Sequence, residues 1–478
     1  MNKTLKERTA LGLIWGGLNN GLQQVLGLIF GIMLGRLLDP SDFGMMAMIA
    51  IFPLIGSALQ KSGFMAAIAN LKKPRHEDYN SVFWFNIIMG GTIYVLLFFS
   101  APLIADYFND ARLTPLSRYA FLSIIFASFA TVQTSYLYRN LMVREQARCN
   151  VTATLIASIV GVIMAYMGFS YWALATQSLM YILTNAILLW LTSPWRPTMK
   201  IDFGPAASMF RFSYKMLLSD ILTAINENTI NIITGRFFPS SDVGDFHQAH
   251  QWSDKGVGIL RGMVTHVAQP VFTSVGDDDE RRLRILRKLV RFTAFLSFPA
   301  MFGLALISRE LIVVMITEKW LQSAEYLRYL AIGGAFLPIL SIMTSFIVSR
   351  GKSGTYLGLT ALFGASQIVL MLIIYPLGVP FMVKSHVVLH VSFVFFTYYI
   401  MTRHIEYTIT QLMRDILPYC LTAATVMIFT WLLTIGFQGS WTIMLTRTAI
   451  AATLYIGSMI IIDRGMIKEC VEFIKQRI

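Results

Sequence analysis

The residues of this 478-residue chain best able to do chemistry are the charged and amide side chains that lie inside long apolar stretches. A charge at the centre of a bilayer costs about 2.5 to 3.5 kcal/mol on insertion scales, so one retained there generally faces a watery cavity or a partner. Three cations, Lys61, Lys255 and Arg261, fall within apolar stretches and not in the loops between them. Cations of this kind hold anions, arginine with a two-pronged fork and lysine as a point charge. Asp220, Glu227 and Asn231 follow the spacing i, i+7, i+11, one face of a helix, with Asn226 and Asn228 beside it. Carboxylates near the middle of a membrane are candidates for binding a proton or a sodium ion, and Asp254 joins Asp220 and Glu227 in that set. Asn19, Asn20, Gln23 and Gln24 cluster in the first apolar stretch, where amides serve hydroxyl-rich ligands or hydrogen bonds between helices. Around Lys255, the residues Gln248, Gln251, Trp252, Asp254, Gly258, Gly262 and His266 give one helix a broad polar and small-residue surface. The expected ligand-binding set is therefore Lys61, Lys255, Arg261, Asn20, Gln24 and Trp252, and the expected ion-coupling set is Glu227, Asp220 and Asp254.

Each of these residues has a second reading. Lys61 lies near the end of its stretch and can snorkel to the interface. Lys255 lies mid-helix, where snorkelling is hardest, but an ion pair with Asp220 or Glu227 would also account for it. His247, His250 and His266 titrate in a useful range, yet a histidine near a helix end is commonly a polar contact. Other chemistry is absent from the sequence. No Walker A motif is present, and GLTALFG and GGLNNG lack the strand-turn-helix setting that lets glycines cradle phosphate. Cys149, Cys420 and Cys470 have neither CxxC nor metal-ligand spacing, so no metal site, cofactor or disulfide framework is expected. Any energy source would be a proton, sodium or lipid gradient.

The elements that must position these residues follow from composition. Hydrophobic residues make up 55% of the chain and charged ones 14%, with mean hydropathy +0.61, which excludes a large soluble catalytic domain. A spanning helix needs about 20 mostly apolar residues. Fourteen such stretches fit, at about 10–35, 42–65, 80–101, 113–137, 149–168, 171–192, 210–235, 242–268, 288–307, 325–348, 354–375, 379–401, 413–435 and 441–462. The first is preceded by Lys3, Lys6 and Arg8 like a signal peptide, but it lacks a small-residue cleavage site and reads as a retained helix. The net charge of +13 suggests nucleic acid until the cations are placed. With the N-terminus inside, 27 Lys and Arg fall in cytoplasmic tails and loops and 9 on the other side, so basicity encodes topology and both termini are expected in the cytoplasm. Asp277 to Asp279 with the basic run to Arg291 read as a capped helix start, either solvated or touching lipid headgroups. The tail from Asp463 reads as an interfacial amphipathic helix.

GRLLDPSDFG at 35–44 returns 200 residues later as GRFFPSSDVG at 235–244. With more drift, PLIADYF at 102 answers ELIVVMI at 310, LYRNLM at 137 answers VSRGKS at 348, and GFSYWAL at 168 answers GVPFMV at 378. The chain is thus two six-helix halves, 1–200 and 201–407, followed by two further helices and a tail in 408–478. Six is even, so both halves enter the membrane in the same sense and are related by an axis along its normal, with a solute path expected between them. The same offset pairs Lys61 with Arg261 and Asn20 with Asp220. In the repeated loop, Pro40 is expected to stop one helix, Ser41 and Asp42 to cap the next, and Gly44 to let its start pack closely.

Those residues also carry a resemblance. The basic N-terminal tail, the first helix ending GRLLDPSDFG, the loop LYRNLMVREQA and the second copy GRFFPSSDVG resemble the polysaccharide transporter branch of the multidrug/oligosaccharidyl-lipid/polysaccharide exporter superfamily. Its members are similar to O-antigen, colanic-acid and teichuronic-acid flippases, and the resemblance covers nearly the whole chain. It implies an all-α polytopic protein of the bacterial inner membrane, a V-shaped bundle of about fourteen helices with two C-terminal extras. It further implies export of undecaprenyl-diphosphate-linked oligosaccharides by alternating access. The implied partners are the lipid bilayer, that lipid-linked sugar and polysaccharide biosynthesis enzymes, with no nucleic acid and no enzymatic activity. On this reading Lys61 and Arg261 clamp the diphosphate.

Two other classes compete. An ion-coupled drug or small-molecule antiporter of the same superfamily is associated with an acidic cavity, whereas the first helix here has amides in place of a carboxylate and the candidate site holds three cations. A membrane polymerase or ligase acting on lipid-linked glycans would carry a large external loop with catalytic residues, and none is visible.

Overall fold

The computed structural model describes residues 5–61, 64, 67, 68, 71, 73–274 and 278–468. Its described residues form helices and connecting turns, with no strand. Lipid offers a backbone no hydrogen-bond partners, so apolar segments of this length satisfy their own N–H and C=O groups as helices. Two compact units divide the chain at Gly244. In the first lie α1 (Leu5–Leu37), α2 (Pro40–Ile49), α3 (Ile51–Lys61), α4 (His76–Phe108), α5 (Leu113–Ala120), α6 (Leu122–Arg139), α7 (Val143–Tyr166), α8 (Tyr171–Thr192) and α9 (Gly204–Phe237). α10 (Ser240–Ser274) begins there and continues into the second unit. That unit adds α11 (Asp279–Leu306), α12 (Ser308–Ile316), α13 (Leu321–Gly334), α14 (Leu337–Ser349), α15 (Ser353–Ile374), α16 (Val379–Thr402), α17 (Ile409–Leu433) and α18 (Ser440–Ile462).

Eleven helical stretches are long and apolar enough to cross a membrane. α1, α9 and α10, at 33, 34 and 35 residues, are long enough but more polar, and the expected count of fourteen rests on them. They are the helices that carry the amides and carboxylates singled out above and, of the three cations, Lys255 and Arg261.

Three expected spans are broken in the structure, and the one read as 113–137 parts at Phe121 into α5 and α6. The stretch read as 42–65 parts at Ala50 into α2 and α3, because Pro53 in the first turn of α3 has no N–H to donate back across the break. The stretch read as 325–348 parts into α13 and α14, where Pro338 takes the second position of α14. In the repeated loop the N-cap is Asp39, not Ser41 or Asp42. Pro40 occupies the first helical position, where its missing N–H is harmless, and Asp42 reaches back three residues to accept the Asp39 N–H at 3.0 Å.

The repeat is written in the backbone as well as in the letters. Left-handed φ values occur at Asn109 and Thr317, at Leu141 and Gly351, and at Gly168 and Gly378, each pair at corresponding turns. Met142 N–H reaches Leu137 O at 2.9 Å and Lys352 N–H reaches Ile347 O at 3.3 Å, the same helix-ending bond in both copies. Gly44 and Gly244 meet as equivalents. A Cβ on Gly44 would fall 1.7 Å from the Ser240 carbonyl oxygen, and one on Gly244 would fall 1.8 Å from that of Pro40.

The first unit packs its apolar side chains in separate clusters. Met45, Phe108, Leu116 and Phe121 belong to one, and Phe64, Val82, Phe83 and Trp195 to another. Gln60 forms a buried polar contact, its Nε2 donating to Ile124 O at 2.7 Å and to Ser128 Oγ at 2.8 Å, in space that a side chain at Gly90 would fill. The second unit has a larger core, with Phe298, Met301, Ile342, Phe346, Tyr419 and Tyr455 among its buried members.

Candidate functional site

α10 is the helix that gathers most of the candidate chemistry. Gln251, Asp254, Gly258 and Arg261 recur every three or four residues along it, and all four are exposed, so one stripe of this helix is open and polar. Asp254 Oδ2 lies 3.0 Å from His250 Nδ1, one turn earlier. Arg261 and His390 also act on the Asp254 carboxylate electrostatically. Gln251 Nε2 and His247 Nε2 are 2.8 Å apart. Gly258 and Gly262 have nothing within 4 Å of where a Cβ would be, so their smallness leaves open space beside Arg261.

Lys255 sits a residue round from that stripe. It is half-buried, and its Nζ stands 4.8 Å from the centroid of the Trp252 ring, a cation–π contact within the helix. Trp252 is buried, and its Nε1 has no hydrogen-bond partner among the described residues. The structure therefore brings Lys255 to Trp252, and Asp254 to His250 and Arg261, on neighbouring faces of one helix.

α16 contributes two residues that sequence reasoning missed. His386 and His390 are one turn apart, their ring centroids separated by 4.3 Å, and His390 meets the Phe363 ring edge-on at 4.7 Å. His386 is buried, and its Nδ1 finds no partner among the described residues. Their i, i+4 spacing in KSHVVLHVSF was the available signal. With His250 and Asp254 they make a titratable cluster inside the second unit.

On α9 the carboxylates and amides separate. Asp220 and Glu227, seven residues apart, are exposed, whereas Asn228 and Asn231 are buried. Asn228 Nδ2 donates to Ala224 O at 2.9 Å within its own helix. α1 shows the same division. Asn20 and Gln24 are exposed, whereas Asn19 and Gln23 are half-buried, and the Thr154 hydroxyl of the adjoining α7 lies 3.5 Å from Gln23 Oε1. The inward amides fit helix packing, and the outward ones remain available to a ligand. Lys61 closes α3, but its side chain, like that of His266, lies outside the described residues.

A second polar feature lies in the loop-proximal part of the second unit. Arg447 donates from Nη1 to Glu310 Oε1 at 2.9 Å and from Nε to Thr434 Oγ1 at 3.0 Å, with both charged residues buried. The pair borders a cavity of about 790 Å³ whose walls include Phe302, Leu306, Met427 and Trp431, with Glu325 and Arg328 also lining it. Glu310 and Arg447 stand 137 residues apart, and no sequence spacing links them.

This arrangement belongs to a transporter: spanning helices and open polar faces on the helices least fit to meet lipid. The model of the family described as "Polysaccharide biosynthesis protein" matches residues 33–325, and the chain belongs to that family. Similar curated proteins include the lipopolysaccharide biosynthesis protein WzxC of Escherichia coli K12, 21% identical over 73% of this chain and 71% of that protein. The teichuronic acid biosynthesis protein TuaB of Bacillus subtilis 168 is 23% identical over 72% of this chain and 71% of its own length. Among solved structures, the lipid II flippase MurJ in an inward closed conformation superposes with TM-score 0.75, covering 95% of this chain and all of that one at 15% identity. The fold is shared with that structure.

Proposed function

We propose that this protein carries a lipid-linked oligosaccharide, charged at its diphosphate, across a bacterial cytoplasmic membrane by alternating access. The observation that supports it most is the exposed stripe of Gln251, Asp254, Gly258 and Arg261 on a 35-residue helix set among apolar spans. Such a stripe is costly against lipid and suits a water-filled path. The biosynthetic roles in the names of WzxC and TuaB, and the lipid II in that of MurJ, agree with a lipid-linked glycan as cargo.

In this reading Arg261 grips the diphosphate with its fork, and Lys255, held against Trp252, adds a point charge in a half-dry setting. Lys61 supplies the equivalent cation from the first repeat. Asn20 and Gln24 meet sugar hydroxyls from the open face of α1. Coupling to a proton or sodium gradient falls to Asp254 with His250, and to Asp220 and Glu227 on the open face of α9.

A reconstituted flipping assay with a defined lipid-linked sugar tests this. A charge-assisted contact is worth about 1.5 to 3 kcal/mol, so Arg261→Ala or Lys255→Ala should slow flipping on the order of tenfold or more. Arg261→Lys should recover only part of the loss. Normal flipping by both Ala variants would overturn the cationic site. For coupling, Asp254→Asn, Glu227→Gln and Asp220→Asn are measured with imposed gradients. An unaltered response to both protons and sodium in all three would remove these carboxylates from the mechanism.

A further inference from the structure

At the start of α11, Arg284, Arg287, Lys288 and Arg291 share one helix face, spaced three, four and seven apart. They line a pocket of about 410 Å³ whose remaining wall is Asp463, Gly465 and Met466, at the break after α18 and the start of the helical segment that follows it. Like charges at this spacing repel, so the face needs offsetting anions. Two carboxylates supply part of that. Arg287 donates from Nε and Nη2 to Asp415 at 2.7 and 3.0 Å, and Asp415, itself buried, also accepts the Tyr407 hydroxyl at 2.9 Å. Arg291 donates from Nη2 to Asp463 at 2.8 Å, and Asp463 also accepts the Tyr419 hydroxyl at 2.6 Å. Burial works against ionisation of Asp463, but the hydrogen bonds from Tyr419, Arg291 and the Met466 amide outweigh it and hold the carboxyl below its usual range.

The carboxylates fix the two guanidiniums without exhausting them. Nη1 of Arg287 and of Arg291 makes no hydrogen bond among the described residues, and Arg284 has no hydrogen-bonded or ion-paired partner there. Among the described residues, four cations and one carboxylate, Asp463, line the pocket. Depth is set by the flanking sequence. From Leu289 to Leu306 the only charge is Arg291, so the pocket opens where α11 becomes apolar. Beyond the lining residues of the opposite wall, Ile460, Ile461 and Ile462, all exposed at the end of α18, lead directly into Asp463. A cationic cup with an apolar surface at its rim matches a phosphate headgroup above acyl chains. A free phosphate would have no use for the isoleucines.

We propose that this pocket binds the phosphate of an anionic membrane lipid, with Arg287 and Arg291 as pre-set forks, Arg284 and Lys288 completing the cup, and the acyl chains lying along Ile460 to Ile462. The site is distinct from Lys61, Lys255 and Arg261 and holds whatever the cargo is.

The test uses the full-length purified protein in mixed micelles. Binding of phosphatidylglycerol, phosphatidylcholine and inorganic phosphate is measured, together with the melting shift each produces, in the natural protein and in Arg284→Gln/Lys288→Gln. Neither substitution removes a guanidinium that Asp415 or Asp463 holds. Phosphatidylglycerol should bind the natural protein at least about tenfold more tightly than phosphatidylcholine, and the double variant should lose about that factor while its lipid-free melting is unchanged. Equal binding of the two lipids, or undiminished phosphatidylglycerol binding by the variant, overturns the site. Inorganic phosphate giving the same melting shift as the lipid at equal concentration overturns the headgroup assignment. Should the double variant melt early without lipid, the comparison of the three ligands on the natural protein decides alone.

Discussion

Among single residues, Arg447 and Glu310 form a buried ion pair of the second unit. Both are buried, and Arg447 divides its donors among Glu310, Thr434 and the Leu306 carbonyl. Removing one member of a buried pair strands the other charge at a cost of about 3 to 5 kcal/mol, whereas replacing both with apolar residues of similar volume is often near neutral. Arg447→Ala should therefore lower the melting temperature sharply, and Arg447→Met with Glu310→Leu should recover most of the loss. A double variant no better than the single one would show that the pair is not the source of the effect. Legibility at this scale followed one rule. Asp254, Lys255 and Arg261 stood out in sequence because a charge in an apolar run needs a reason, and the structure places all three on a helix with an open polar stripe. His386 and His390 were overlooked because histidine interrupts an apolar run far less visibly than a charge. The partners of Arg447 depend on packing across 137 residues, and no local pattern could announce them.

At the scale of elements, the two copies of the repeated loop meet at their glycines, and the geometry leaves no room for any side chain. A Cβ at either Gly44 or Gly244 would fall under 2 Å from a backbone carbonyl oxygen, which cannot rotate away as a side chain could. Gly44→Ala and Gly244→Ala should each destabilise the protein by shifting α2 against α10, with the melting temperature and the yield of inserted protein both falling. Gly91 in α4 offers the contrast. Nothing lies within 4 Å of its Cβ position, so Gly91→Ala should be neutral or stabilising by up to about 1 kcal/mol through helix propensity. Equal behaviour of the three variants would refute the close crossing. The special role of Gly44 was legible in GRLLDPSDFG, because the motif recurs, but its partner was not. Helix breaks were harder to read. Proline marks those near Ala50 and Phe336, yet the apolar runs continue through them and conceal the interruption. Leu141 could not be foreseen at all: leucine rarely adopts a left-handed φ, and here the helix-ending bond to Leu137 O holds it at φ 55°.

For the whole molecule, the question is which loops share a side of the membrane and which side that is. Hydrogen bonds answer the first part within each unit. Arg139 reaches Leu71 O, Asn80 and Trp84 reach Lys200 O and Thr198 O, and all of these lie in segments assigned inside by charge. Arg236 reaches Asp106 O, and Asp42 accepts from Ser170, in segments assigned outside. In the second unit Arg350 pairs with Asp279 at 3.2 Å and donates to His404 O, again inside with inside, while Arg447 and Glu310 join outside with outside. None of these contacts mixes the two sets, so the grouping drawn from cation placement and the grouping drawn from contacts coincide. Which group is expected to face the cytoplasm follows from the distribution of 27 Lys and Arg against 9, because cationic loops are retained on that side. Reporter fusions after residue 108 and after residue 478 should accordingly read outside and inside. Because the contacts tie loops together within each unit, a reversed reading at residue 108 would invert every segment grouped with it.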